Sequence, residues 1–337
     1  MSRVVGLLLT LLALPFAILG LVLGLSALAS LVIDLKVGAA NPPAGPFVEV
    51  AGGRLATIQA GPANGRPVVL LHGASANASD PMEGIGRRLA AAGYRVIAFD
   101  RPGFGWSDRI DGGEAAAPAI QARIIAEALD RMGVGPALVF GHSWAGALAL
   151  ALALDHPAQV SGLVLAAPVA MPMPSRMLVL PWYWRLAIKP PVAWLLSRTI
   201  GPPVAQYFLP ETAKRVFLPQ SETPGYPELV RASLVLRPGT LLANVQDLVG
   251  LPAALAAQSP RYGDLRVPTL VISGDADPIV RSESQAVPLA KAIPGARLVL
   301  LPGIGHMLHF VAAERVTDEI VRFAGEQRRE AAPLLKD

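Results

Sequence analysis

A chain of 337 residues is long enough for one large domain with an insertion, and its 53% hydrophobic share is high for a water-soluble enzyme. The net charge of +4 rests on scattered basic residues, 24 of the 29 being arginine, which excludes a nucleic-acid-binding stripe. With no cysteine, the chain has no disulfide, no thiolate metal site, no cysteine nucleophile and no lipidated cysteine.

Much of the apolar excess is local. Residues 4–33 contain no charged side chain, and a helix of about 20 apolar residues already spans a bilayer. The run is therefore read as a transmembrane helix, a single-pass anchor within residues 1–36. Arg3 precedes it, and Asp34 and Lys36 follow. The positive-inside tendency then leaves the N-terminus in the cytoplasm and exports the remainder. The abundance of arginine and alanine suggests a bacterium, so the membrane is an inner membrane. A cleaved signal peptide is the competing reading, because Ala27-Leu28-Ala29 resembles a small-residue cleavage site. The apolar run is, however, much longer than the ~7–15 residues of a signal core.

Residues 37–46 form a Gly/Pro/Ala linker. Two short strands, 47–50 and 55–60, flank Gly52-Gly53 as a hairpin. Residues 67–71 are a continuous apolar strand followed by His72-Gly73-Ala74. Asp80-Pro81-Met82-Glu83 then opens a helix to Ala92, with Asp80 as cap, proline in the first turn and glutamate three residues after the cap. A strand at 94–99 runs into Asp100-Arg-Pro-Gly-Phe-Gly-Trp-Ser107, where Asp100 and Ser107 read as turn builders. A helix is expected over 115–132, a strand over 136–140, a helix from Ala145 to Leu154 and a strand over 162–166.

From 168 to 262 the alternation gives way to a proline- and aromatic-rich stretch, and it resumes with strands at 268–273 and 297–301 and helices at 282–292 and 308–325. Alternating strands and helices mean a mostly parallel sheet covered on both faces. The core accordingly comprises 47–167 and 263–328, interrupted by a helical lid at 168–262 and followed by a tail at 329–337.

The chemistry centres on Gly141-His-Ser-Trp-Ala-Gly146. It nearly matches G-x-S-x-G, in which a strained strand-to-helix turn lifts a serine hydroxyl above the sheet; the departure is Ala145. Gly146 is read as letting the helix pack closely on its strand. Reactive sites in such sheets lie beyond the carboxyl ends of the strands. Two later strands end in Gly274-Asp-Ala-Asp277 and in Pro302-Gly-Ile-Gly-His306. Ser143, Asp277 and His306 thus reach one rim of the sheet in the order Ser…Asp…His. Imidazole activates a serine hydroxyl by taking its proton, and a carboxylate fixes and stabilises the imidazole.

With these motifs, the stretch from about 46 to about 328 resembles the α/β-hydrolase superfamily. The resemblance implies an eight-stranded mostly parallel sheet with Ser143 as nucleophile, His306 as general base and Asp277 as orienting acid. It selects Asp277 over Asp275, and it places the oxyanion-binding N–H groups on Ala74 and Trp144. His309, one turn into the last helix, reads as a packed or solvated residue. His72 reads as a loop structure residue, His142 as sheet-edge packing and His156 as closing a helix. Trp144, Trp182 and Trp184 are candidates for substrate contact.

The expected activity is hydrolysis of an apolar ester or thioester. C–C bond hydrolysis, perhydrolysis, aminopeptidase action helped by Glu211, Glu222 or Glu228 of the lid, and a non-catalytic scaffold are the alternatives. The expected partners are a small apolar acyl substrate and, through residues 4–33, the membrane, where the aromatic lid can rest at the lipid surface. No cofactor or metal is implied: the chain lacks a dinucleotide fingerprint, a Gly-rich loop ending in Lys-Ser/Thr, and paired histidines at i, i+4 with a carboxylate between. The sequence sets no oligomeric state.

Overall fold

The computed structural model describes residues 2–172 and 186–331, and side chains from 13 to 172 and from 186 to 327. The apolar run at the N-terminus forms one helix, α1 (Ser2–Ala40). It takes in the first residues read as linker, because Asn41 closes it: the Asn41 N–H (3.0 Å) and the Asn41 Nδ2 (2.9 Å) both donate to the Val37 carbonyl.

Eight strands follow: β1 (Phe47–Val50), β2 (Gly53–Ala60), β3 (Pro67–Leu71), β4 (Arg95–Phe99), β5 (Ala137–His142), β6 (Val160–Ala166), β7 (Thr269–Gly274) and β8 (Arg297–Leu301). They build one sheet in the order β1-β2-β4-β3-β5-β6-β7-β8. Pairing is antiparallel at β1–β2 and β2–β4 and parallel elsewhere. Every residue of β5 and β7 is buried, as expected of strands covered on both faces.

Alternation along the strands sorts the core into two layers. Val69, Leu71, Val139, Leu163 and Leu165 pack with helices α3 (Pro118–Arg131) and α4 (Ala145–Asp155). Val68, Leu70, Leu138, Phe140 and Val164 pack with α2 (79–91) and with Val316, Ile320 and Phe323 of the final helix Ala313–Ala331. Helix α4, Ala-Gly-Ala-Leu-Ala-Leu-Ala-Leu-Ala-Leu-Asp, is apolar all round and lies in the core.

Three helix expectations are corrected by local chemistry. Asp80 does not cap α2. The cap role falls to Asn77, whose Oδ1 accepts the Ser79 N–H at 2.9 Å, while Asp80 lies inside the helix and buried. The expected helix over 115–132 starts only at Pro118, because the residue before a proline avoids the helical region and Ala117 is extended (φ −79°, ψ 129°). The final helix is broken into Leu308–Val311 and Ala313–Ala331.

Between β6 and β7 the described residues form α5 (Pro190–Arg198), α6 (Gly201–Val216) and α7 (Pro238–Gln258). Trp182 and Trp184 fall outside the described residues. The last turns of α1 dock on this insertion. Ile33 and Val37 pack with Leu234, Val235 and Leu236, and Asp34 Oδ1 accepts from Arg237 Nε at 3.2 Å.

Beyond β4, Asp100 and Ser107 build the turn as expected. Asp100 accepts the N–H groups of Ala78 (2.7 Å) and Trp106 (2.9 Å), and the Ser107 hydroxyl donates to the Asp100 carbonyl at 2.7 Å. Burial pushes the Asp100 carboxyl up to about 6. A carboxyl raised in the folded state binds a proton more tightly there than in the unfolded chain. Its contribution to stability is thus fully present below the ordinary aspartate range, near pH 4, and is lost as pH rises through about 6. The stability difference between the parent and Asp100→Asn, measured by urea unfolding at several pH values, should fall between pH ~4 and ~6 and level off above.

Candidate active site

At the end of β5 the chain must reverse into α4 within one turn, and Ser143 takes the left-handed conformation there (φ +53°). Such a residue persists only where its surroundings hold it. The Ser143 N–H donates to Ala166 O at 3.0 Å, and its carbonyl accepts from the N–H groups of Gly146 and Val169, both at 2.9 Å. Small neighbours make the turn possible. A methyl at Gly141 would overlap the Ala145 carbonyl oxygen, and one at Gly146 would sit 2.6 Å from Pro168 Cβ. Gly146 therefore clears the exit of β6, not its own strand. Ala145 is accommodated and buried.

The Asp277 and His306 side chains meet from the loops after β7 and β8. His306 Nδ1 donates to Asp277 Oδ2 at 2.7 Å. The other carboxylate oxygen of Asp277 accepts the N–H groups of Ile279 (2.8 Å) and Val280 (2.9 Å), so both of its oxygens are engaged. Asp275 is exposed and accepts from the Gly303 N–H at 2.6 Å.

Ser143 and His306 line one cavity of about 220 Å³, together with Ala74 from the loop after β3. That loop passes against the serine: a Cβ on Gly73 would lie 3.1 Å from Ser143 Cβ. The insertion supplies much of the wall through Leu209, Thr212, Ala213, Val216 and Tyr226. Among the described residues, Glu211, Glu222 and Glu228 do not line it.

An Asp–His pair thus lies opposite a serine on a left-handed turn at the carboxyl edge of this sheet. The alpha/beta hydrolase fold family matches residues 66–313. The chain belongs to that family. Among its relatives, the 2-hydroxymuconate semialdehyde hydrolase of Pseudomonas putida is 29% identical over 266 residues, 78% of this chain and 88% of the relative. The poly(3-hydroxyalkanoate) depolymerase of Ectopseudomonas oleovorans is 30% identical over 249 residues, 70% of this chain and 77% of the relative. A solved bacterial membrane phospholipase A superposes with a TM-score of 0.61 at 21% identity, covering 97% of this chain and 99% of its own.

In this hydrolase three further histidines pack near the serine turn, and His156 closes α4 as expected, its N–H donating to the Leu152 carbonyl at 2.8 Å. His72 accepts the Arg101 N–H on Nε2 (3.0 Å) and donates from Nδ1 to the Gly73 carbonyl (2.8 Å). Burial, with the Arg101 charge, holds it well below the usual histidine range, so it is a neutral loop clamp. His142 donates from Nε2 to the His306 carbonyl at 3.1 Å, and its ring packs between those of His306 (4.8 Å) and His309 (4.2 Å). Burial keeps it neutral too.

His309 is packed, as one of the two expectations had it, and not solvated. It is buried and donates from Nε2 to Asp80 Oδ2 at 3.0 Å, while Tyr226 of the insertion donates to Asp80 Oδ1 at 2.9 Å. Asp80, His142 and His309 offer ligand-type atoms within 4.8 Å of one another. A tetrahedral zinc with nitrogen ligands needs edges of about 3.3 Å, and both Asp80 oxygens already hold hydrogen bonds, so the cluster fits a hydrogen-bonded brace and not a metal site. Residues 80 and 309 lie too far apart in the chain for any motif to link them.

The Trp144 indole is corrected as a substrate contact. It is 1% exposed, packs in the core and donates Nε1–H to the Asp247 carbonyl at 3.1 Å. Trp182 and Trp184 are outside the described residues.

The crowding at Gly141 gives a direct test of the turn. Gly141→Ala drives a methyl into backbone that cannot yield, so turnover of any substrate should fall at least about tenfold and the melting temperature by several degrees. Wild-type kinetics and melting would mean that the turn is not tightly held.

Proposed function

We propose that this hydrolase cleaves a carboxylic ester or thioester of an apolar, uncharged acyl group through an acyl-enzyme on Ser143. The hydroxyl of Ser143 attacks the carbonyl carbon while His306 Nε2 takes its proton. Asp277 stabilises the imidazolium through the 2.7 Å hydrogen bond. The N–H groups of Ala74 and Trp144 receive the developing oxyanion, and collapse expels the alcohol or thiol with the proton from His306. Water, activated by the same imidazole, then releases the acid.

The observation that carries the reading is the pairing of Asp277 with His306 beside Ser143 in a cavity walled by Leu209, Ala213, Val216, Ile279 and Met307. The names of several relatives favour a second reading, C–C bond hydrolysis. Muconate and dienoate substrates carry a carboxylate, and burying one without a partner is costly. Among the described residues, no lysine or arginine lines the cavity. This supports the uncharged ester.

The test is a panel of uncharged acyl esters and thioesters of increasing chain length beside a 2-hydroxy-6-oxo-dienoate. The esters should have the higher kcat/KM, and Ser143→Ala should lose at least about 10³ in rate together with labelling by a fluorophosphonate. Preferred cleavage of the dienoate would move the assignment to the C–C reading.

We also read the insertion as a lid, and α1 as a retained membrane anchor with the catalytic part exported. Between Leu14 and Leu35, eleven large apolar side chains of α1 are 40–74% exposed, a surface that water does not tolerate. The apolar span Ala13–Ala40, 28 residues at about 1.5 Å each, exceeds a ~30 Å hydrocarbon core. Trp194, Tyr207 and Phe208 of the insertion are exposed beside it, where interfacial aromatics are favoured. The full chain should resist carbonate extraction from membranes, and a chain lacking residues 4–26 should not. A mature protein that begins at Ser30 would instead establish a signal peptide.

A further inference from the structure

Helix α7 of the insertion reaches the loop after β3 and the serine turn through two side chains and one carbonyl. Asn244 Oδ1 accepts the N–H of Ser75, a residue held at φ +57°, at 2.8 Å, and Asn244 Nδ2 donates to Ser75 Oγ at 2.9 Å. One turn later, Asp247 Oδ2 accepts from Arg101 Nη1 at 2.6 Å, and its Oδ1 from Arg109 Nη2 at 2.7 Å. Arg101 and Asp247 are fully buried.

Arg101 passes the contact on. Its Nε donates to the His72 carbonyl (3.0 Å) and its Nη2 to the Gly73 carbonyl (3.3 Å), while its guanidinium lies 4.1 Å from the ring centres of both Phe104 and Trp144. The Trp144 indole, in turn, donates to the Asp247 carbonyl. Burial brings the Arg101 guanidinium down to about 10, which leaves it charged at neutral pH.

The peptide unit that carries the Ala74 N–H is thus held by Arg101 through the Gly73 carbonyl, with the next residue, Ser75, held by Asn244, while Asp247 and Arg101 fix the Trp144 side chain next to its own peptide unit. A cover over the cavity needs none of this. A peptide N–H can be aimed only if its neighbours are fixed, and here the fixing atoms belong to the insertion's Asn244 and Asp247 and to Arg101, which Asp247 holds.

We infer that Asn244, Asp247 and Arg101 are positioning residues for the oxyanion site, so that the insertion builds the transition-state binding geometry as well as walling the cavity. This rests on the acyl-enzyme reading. It predicts an effect on the transition state that exceeds any effect on the bound ester.

The experiment uses the full chain, a soluble short-chain ester and a trifluoromethyl ketone, whose adduct with serine carries an oxyanion. Asn244→Leu removes the acceptor for the Ser75 N–H. Its kcat should fall about 10–100-fold with KM within about threefold, and its affinity for the ketone should fall by the same factor as kcat/KM. Asn244→Asp keeps an acceptor and should stay within about threefold of the parent. Arg101→Lys keeps the charge opposite Asp247 but not the planar fork, and it should behave like Asn244→Leu.

Melting and circular dichroism establish that each variant is folded; should Arg101→Lys fail to fold, the Asn244 pair decides alone. Loss confined to KM, an equal loss in Asn244→Asp, or an unchanged ketone affinity beside a reduced kcat would overturn the inference. A parent that neither hydrolyses esters nor binds the ketone would instead overturn the acyl-enzyme reading.

Discussion

One backbone angle organises this molecule. Ser143 sits at φ +53°, a conformation that costs a non-glycine residue roughly 1–3 kcal/mol and survives only where the surroundings over-determine it. Here the determination is complete: a fully buried strand enters the turn, a fully apolar helix leaves it, and both polar groups of the Ser143 backbone are bonded to β6 or to residues just beyond it and to α4. The residues that tolerate the angle are set by contact distance. Position 141 must lack a side chain because the Ala145 carbonyl fills the space, and position 146 must lack one because Pro168 does. Position 145 has no such neighbour, which is why alanine replaces the usual glycine there without disturbing the turn.

Around that angle the buried charges are arranged as closed sets. Asp277 divides its two oxygens between His306 and a pair of backbone N–H groups, and Asp80 divides its own between His309 and Tyr226. Asp247 does the same between Arg101 and Arg109. A buried ion pair adds little net stability over well-packed apolar side chains, but removing one member leaves an uncompensated charge that is very costly. Such sets therefore act as registration devices. They fix the rim of the sheet where the histidine rings 306, 142 and 309 stack, and two of the three reach across to the insertion.

The strands were legible because each is a short apolar run bounded by turn residues, and they fall within about two residues of expectation. Asp277 and His306 were legible for a topological reason: loops after parallel strands share one edge, so residues far apart in the chain can be assigned to one place. The same rule says nothing about partners outside those loops. Asp80 carried an N-cap pattern that was locally sound, yet Asn77 won the cap and Asp80 turned inward to residues 226 and 309. Asn244 and Asp247 belong to no motif, and the Trp144 indole, a candidate for substrate contact, lies in the core. What decides all of these is how the insertion seats on the sheet, and spacing within a segment does not encode that.

The seating of the insertion also bears on what lies on its other side. α1 grips the stretch Leu234–Leu236 through Ile33 and Val37, and Arg237 through Asp34, immediately before α7 begins at Pro238. The helix face that holds Ser75 and Arg101 starts fewer than two turns further on, at Asn244. Between the apolar N-terminal helix and the loop after β3 there is thus a continuous run of packed and hydrogen-bonded residues, with Arg237 also donating to the Gly105 carbonyl at 2.8 Å and stacking 4.1 Å over Trp106. Spatial continuity alone does not establish coupling; that requires an element with two arrangements that both ends bias. What the packing establishes is that α1 seats directly on the segment that leads into α7.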